Sequence, residues 1–249
     1  MKKKPVIAIA SIKYYDIDKK HNLEKIKAFI GKAKKRGADI VCFPESCITK
    51  KDSLLMNGPK IREIGAECKR HSIWCIVTED TKLGRHVYNT SILIGRDGKV
   101  KGHYEKINLY GDKTKAGNEV KVFETDFAKI GIAICWDLSY PGLFNEMRKK
   151  GAEIVFVPAM WYYDLPAHKH SHGQKELQLL RAMVLARAHE NVFYVALCNP
   201  LLKDEDQVSY SAIADPHDIL VELIDKEGII TSEVDVGMIR KFRRYYGKN

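Results

Sequence analysis

Over 249 residues, 42 Lys and Arg outnumber 32 Asp and Glu, giving a formal charge of +10. Hydrophobic residues make up 45%, too many for a disordered chain and enough for a sizeable core. No uncharged apolar run approaches the ~18 residues of a membrane span, and the basic start MKKKPVIAIASIKYYD lacks a cleavage site, so it reads as mature protein.

The chain alternates strand and helix. PVIAIASI (5–12) predicts a buried strand, and 22–36 an amphipathic helix with Leu23, Ile26, Phe29, Ile30 and Ala33 on one face. ADIVCF predicts a second buried strand, followed by a loop and a helix over about 59–71. IWCIVTED, VYNTSILIG and KVKGHYEK read as three strands, the last two joined across Arg96, Asp97 and Gly98. KVFET and KIGIAIC follow, then a helix around 142–150, the strand AEIVFVP and a long helix near 173–190. FYVALCN, SYSAIADP, ILVELIDKEG and IITSEVD make the last third strand-rich, ahead of a short basic tail. No Ser-, Gly- or Pro-rich linker divides the chain, so residues 1–249 are expected to form one domain.

Much of the positive charge sits in clusters: Lys2–Lys4, Lys32 with Lys34–Arg36, Arg148–Lys150 and Arg240–Arg244. Two of them precede a glycine, as KKRG and RKKG. Cations in a helix's last turn offset its dipole, and glycine takes the left-handed position that follows. The charge is thus at least partly helix-end chemistry. No nucleic-acid-binding motif accompanies it, and neither nucleic acid nor membrane is an expected partner. The cysteines at 42, 47, 68, 75, 135 and 198 form no CxxC pair, and several sit in apolar runs. That pattern suggests reduced thiols in a cytoplasm, with neither a disulfide framework nor a zinc site.

GADIVCFP (37–44) and GAEIVFVP (151–158) match at five of eight positions, each after a basic helix end. Two such helix–strand units imply buried strands covered by helices. The chain after each proline lies beyond a strand's C-terminal end, where open α/β sheets place ligand sites. Glu45 and Ala159 fall there.

Three polar groups end apolar strands: Glu45 in FPES, Lys106 in YEKINLY and Cys135 in GIAICWDLSYPG. A thiol with an ordinary pKa of about 8.5 is mostly protonated at neutral pH. A nearby carboxylate can take its proton, while a lysine offsets the carboxylate and binds an oxyanion. Spacing alone does not bring the three together. Taken singly, Cys135 reads equally as a small buried hydrophobe, Glu45 as a turn carboxylate and Lys106 as a strand-end cation.

The ordered set FPES, YEKINLY, KIGIAICWDLSYP, GAEIVFVPAMW and LARAHEN resembles the nitrilase superfamily of carbon–nitrogen hydrolases, over nearly the whole chain. By that resemblance Glu45, Lys106 and Cys135 take the family's Glu-Lys-Cys catalytic triad. It also implies an α/β fold, a four-layer α-β-β-α sandwich, pairing into a homodimer or larger homo-oligomer with no metal or organic cofactor. The implied reaction cleaves a non-peptide C–N bond of a small amide or carbamoyl compound through a Cys135 thioester. Glu45 would be the general base, and Lys106 with the backbone N–H of Trp136 would stabilise the oxyanion. A nitrilase or acyltransferase using the same triad, and a catalytically silent scaffold, are the alternatives.

Departures from the family pattern are local. Many members carry a second glutamate in the loop after the lysine; here GDKTKAGNEV offers Asp112 or Glu119, the latter nearer the next strand. Relatives often read D-x-R-x-P-E past the cysteine, where this chain has Ser139 and Gly142 in place of Arg and Glu. The CWD triplet leans toward amidases and carbamoyl hydrolases. The resemblance implies that Trp161, Tyr162 and Tyr163 sit by the pocket, a plain packing role being the equal alternative, and Trp136, Trp161 and Tyr162 are the candidate substrate-binding residues. HKHSH (168–172) reads as a solvated or substrate-lining loop and not a metal site. Arg187, Glu190 and Asn191 read as a helix-end ion pair and cap. With no arginine at 139, neutral or cationic amides are expected to outperform carboxylate-bearing ones.

Overall fold

A computed structural model describes residues 4–14, 20–49, 53–162, 173–202 and 208–246. The first half of the chain carries β1 (Val6–Ser11), α1 (Lys20–Lys35), β2 (Ile40–Cys42), β3 (Leu54–Leu55), α2 (Pro59–His71), β4 (Trp74–Leu83), β5 (His86–Ile94) and β6 (Val100–Glu105). It continues through β7 (Val122–Glu124), β8 (Lys129–Ile132), α3 (Pro141–Lys149), β9 (Ile154–Pro158) and α4 (Gly173–Asn191). The last elements are β10 (Tyr194–Cys198), β11 (Tyr210–Ala214), β12 (Ile219–Ile224), β13 (Gly228–Glu233) and α5 (Val236–Tyr246).

The strands form two mixed sheets, ordered β13-β1-β2-β4-β5-β6, with β3 beside β4, and β12-β11-β10-β9-β8-β7. Each has a parallel centre flanked by antiparallel strands: β1, β2 and β4 run parallel in one, β8, β9 and β10 in the other. Alternation along the strands decides the layers, because successive side chains point to opposite faces. Ile7, Ile9, Ile40, Cys42, Trp74 and Ile76 join the second sheet's Ile130, Ile132 and Phe156 in the core between the sheets. Their neighbours Ala8, Ala10, Val41, Phe43, Cys75 and Val77 pack under Ile26, Ile30, Ile61 and Ile64 of α1 and α2. Phe144 and Met147 of α3 and Leu180 and Val184 of α4 cover the second sheet. The result is the four-layer α-β-β-α sandwich.

Both basic helix ends behave as their sequences imply. Gly37 follows α1 at φ +82° and Gly151 follows α3 at φ +90°, a region that favours glycine. The two echoed segments become β2 and β9, one in each sheet, and the Glu45 amide donates to the Ala159 carbonyl at 3.3 Å.

The basic tail departs from expectation. Residues 236–246 form α5, anchored by the buried side chains of Val236 and Ile239. Two of its three arginines are absorbed locally: Arg240 pairs with Glu153 at 2.5 Å, and Arg243 donates to the carbonyls of Val192 and Ala152. Two charges of the basic tail thus fasten a helix to the end of the second sheet. β3, only two residues long, carries no periodicity to read.

Ile132→Ala, between the sheets, should lower unfolding free energy by about 2–4 kcal/mol through lost burial and a cavity. Leu220→Ala, on the exposed side of β12, should cost under about 0.5 kcal/mol. Urea denaturation of both variants checks the assignment of the layers.

Candidate active site

A single face of the first sheet turns polar as it leaves the core. Along β4 that face runs Ile76, Thr78, Asp80, and Thr78 and Asp80 lie opposite Ser91 and Asn89 of β5. The Thr78 and Ser91 hydroxyls share a 2.6 Å hydrogen bond, and Ser91 lies opposite Tyr104 of β6. One step further, the Lys106 amide donates to the Asn89 carbonyl at 2.9 Å. Asp80, Asn89 and Lys106 therefore form a row across β4, β5 and the end of β6. They line a cavity of about 130 Å³ together with Glu45, Asp112 and Cys135.

Glu45 is buried and both its carboxylate oxygens are engaged. Oε1 accepts from Lys106 Nζ at 3.1 Å and Asn89 Nδ2 at 2.6 Å, while Oε2 accepts from the Met160 amide at 3.0 Å. Tyr14 donates its hydroxyl to the Glu45 carbonyl, which holds the backbone after β2. Lys106 also meets Asp112 Oδ2 at 3.0 Å, so its ammonium sits between two carboxylates. Burial alone would lower its pKa, but Glu45, Cys135 and Asp112 outweigh that and raise it. Lys106 is a fixed cation.

Cys135 does not end a strand, as its sequence context suggests. β8 stops at Ile132, and Cys135 opens a 3-10 turn, Cys135–Ser139, at φ +47°. A β-carbon is disfavoured there, and the surroundings must hold it. Asp137 is the main restraint. Fully buried, it accepts from the Ile134 amide at 3.0 Å, the Tyr104 hydroxyl at 2.7 Å, and the Asn108 amide and side chain at 2.8 Å each. One carboxylate thereby ties the cysteine's turn to the segment that carries Lys106. Arg187 supports the far end, donating to the Leu138 carbonyl at 3.1 Å and pairing with Glu190 at 3.2 Å, while Asn191 bonds the Arg187 carbonyl at 3.0 Å.

The thiol faces the Glu45 carboxylate and the Met160 amide. Burial foremost, then the Glu45 charge, pushes its pKa well above the ordinary range, against the pull of Lys106 and Met160. The resting group is a neutral thiol beside a carboxylate. The amide of Trp136, second in its turn, has no acceptor within that turn.

Trp136, Trp161 and Tyr162 all line the cavity, as does Tyr110, and the rings form a wall: Tyr110 to Trp136 at 4.6 Å, Trp136 to Trp161 at 5.5 Å between centroids. Trp161 Nε1 donates to Glu176 at 2.8 Å. Asp112 is in the cavity, whereas Glu119 is exposed and lines a separate cleft with Tyr140 and Leu143. Tyr163 and His168, His170 and His172 lie outside the described residues. Cys42 and Cys198 are fully buried in the core, with the Cys198 thiol 3.4 Å from the Cys42 carbonyl. Ser46, Asp80, Asn89, Tyr110 and Met160 are cavity residues that sequence reading missed; for Asp80 and Asn89, polar side chains on the core-facing parity of two apolar strands were the available signal. Among the described residues, no group of His, Cys, Asp and Glu could hold a metal ion, and no helix is long and apolar enough to cross a membrane.

The carbon-nitrogen hydrolase family model matches residues 6–244. The chain belongs to the carbon-nitrogen hydrolase family. It is an enzyme of that amidase-like class, acting on C–N bonds other than peptide bonds. Among relatives of this hydrolase, a 2-oxoglutaramate amidase of Bacillus subtilis is 28% identical over 86% of this chain and 85% of its own. An omega-amidase of Homo sapiens is 24% identical over 91% and 87%. A nitrilase-superfamily structure from Saccharomyces cerevisiae superposes with a TM-score of 0.83 at 24% identity, covering 99% of this chain and 96% of that one.

A third buried carboxyl group supports the hydrolase's site from behind. Glu79, on the opposite face of β4 from Asp80, accepts from the amides of Ile48 at 2.9 Å and Thr49 at 2.6 Å, holding the loop that follows Glu45. Burial pushes its carboxyl from 4.5 to about 8, although those amides favour the charged form. Across that window the folded chain keeps a proton that the unfolded chain has released, so stability falls as pH rises and levels off above it. Relative to Glu79→Gln, the wild type should lose roughly 2–4 kcal/mol of unfolding free energy between about pH 5 and pH 9. Urea unfolding at a series of pH values checks this; a difference that stays flat would mean Glu79 is charged throughout.

Proposed function

We propose that this enzyme hydrolyses a small amide through a thioester on Cys135, with Glu45 as general base and Lys106 as oxyanion stabiliser. The observation that carries the reading is a buried thiol at a strained turn, lining one cavity with a carboxylate that Lys106 holds at 3.1 Å. A thiol kept protonated by burial needs a base in contact at the moment of attack, and Glu45 is that base.

The Cys135 proton passes to Glu45 as sulfur bonds to the carbonyl carbon. Negative charge gathers on the carbonyl oxygen, where the Lys106 ammonium and the Trp136 amide receive it. Collapse of the adduct breaks the C–N bond, and the proton on Glu45 leaves with the amine. Water then gives a proton to Glu45 and its oxygen to the thioester carbon, and the returning proton restores the thiol. Asp112 acts as the second acid of the site: its contact with Lys106 keeps the ammonium aimed while Glu45 changes charge. The names of the two amidase relatives support an amide substrate over a nitrile.

With a panel of small primary amides and nitriles, Cys135→Ala should lose at least about a thousandfold in kcat. Glu45→Gln should lose roughly 10²–10⁴-fold. Unfolding midpoints measured in parallel separate lost chemistry from lost structure, because Glu45→Gln also strips Lys106 of its main counter-charge. Wild-type rates in either variant would remove that residue from the mechanism.

A further inference from the structure

The hydrolytic cycle leaves one cavity carboxylate unused. Asp80 lines the same cavity as Cys135, is half-buried, and its side chain makes no hydrogen bond or ion pair among the described residues. Its neighbours in the cavity are the carboxylates of Glu45 and Asp112, with Lys106 as the opposing cation. Lys106 is committed to Glu45 and Asp112 by direct contact. Burial, then Asp112 and Glu45, raise the Asp80 pKa, against Lys106. A carboxylate left so, partly desolvated among like charges, is destabilising unless a cation arrives to meet it.

A second group in the row makes the same demand. Asn89 is only 3% exposed, lines the cavity and lies directly opposite Asp80 across β4 and β5. Its Nδ2 is spent on Glu45, and its Oδ1 is a buried acceptor with no donor. The cavity thus offers one unpartnered charged acceptor, and the residue opposite it holds a second, buried acceptor that is also unpartnered. The Tyr110–Trp136–Trp161 wall adds aromatic faces, which attract cations and not anions. A substrate carboxylate would meet repulsion from Asp80 with no free cation in the described site to offset it.

We infer that Asp80, seconded by Asn89, is a specificity-determining residue that selects amides bearing a cationic group, an alkylammonium, at the end remote from the scissile bond. This deepens the amide-hydrolase reading and rests on it. The cation takes up the excess negative charge of the cavity while Lys106 stays with the reacting centre. Binding energy from the remote ammonium would then position the amide carbonyl at Cys135.

The test compares a homologous series of ω-ammonium amides with the alkyl amides that carry methyl instead and with the matching ω-carboxylates. For the wild type, kcat/KM should favour the best ammonium amide over its methyl counterpart by at least about tenfold, roughly 1.4 kcal/mol. Asp80→Asn should cut that ratio by about tenfold, chiefly through KM, and Asp80→Glu should keep part of it. Calorimetric binding of the same compounds to Cys135→Ala, with and without Asp80→Asn, reads selection without chemistry. If the wild type turns over no amide while Cys135→Ala still binds the ammonium compounds in an Asp80-dependent way, the hydrolase reading falls and the inference stands. An unchanged ratio in Asp80→Asn, a preference for the carboxylates, or neither turnover nor binding of the ammonium series overturns it.

Discussion

The site depends on a buried carboxylate placed at the seam of two sheets. Glu45 draws Lys106 and Asn89 from the first sheet to one oxygen and the Met160 amide, beyond β9, to the other. Removing any one of these groups leaves a charge or donor stranded in a place that water barely reaches, at a cost of several kcal/mol for an ion. The arrangement therefore stands or falls as a unit. The same contacts that make Glu45 tolerable in the interior also set it beside the thiol. Structure and chemistry draw on one set of hydrogen bonds.

Asp137 does for the turn at Cys135 what the Lys106 contact does for Glu45. A cysteine at φ +47° needs its turn held from outside, and four donors converge on the Asp137 carboxylate to do so. Two of those donors belong to Asn108, two residues beyond Lys106, so the distance between ammonium and thiol is set by a short rigid path. Glu79 repeats the device behind Glu45, through the amides of Ile48 and Thr49. Three buried carboxylates thus fix three loops that the strands alone would leave loose.

How much of this was legible in the sequence follows from what kind of information each feature needs. Glu45, Lys106 and Cys135 stand out because each is a reactive group in or beside an apolar run, and their order along the chain matches a family pattern. The four layers came with the family resemblance, since a strand such as VIAIAS is apolar on both faces and shows only that both are covered. Asp80 and Asn89 needed register: only the pairing of β4 with β5 sets them opposite each other and on the cavity side. The turn at Cys135 was hidden because KIGIAIC reads as continuous strand, and the bend is imposed by Asp137 from two residues downstream. In α5 the excess of basic residues masked a helix whose Arg240 and Arg243 find Glu153 and backbone carbonyls only in the folded chain.

The central claim is that Cys135 carries the acyl group between two chemical steps. Rapid acid quenching of enzyme mixed with a turned-over primary amide, followed by peptide mapping by mass spectrometry, tests it most directly. The account predicts an acyl-mass increment on the Cys135 peptide that appears before free acid and is discharged by hydroxylamine, with Cys42 and Cys198 unmodified. Steady turnover with Cys135 unmodified at every quench time, or an increment on another side chain, would contradict it.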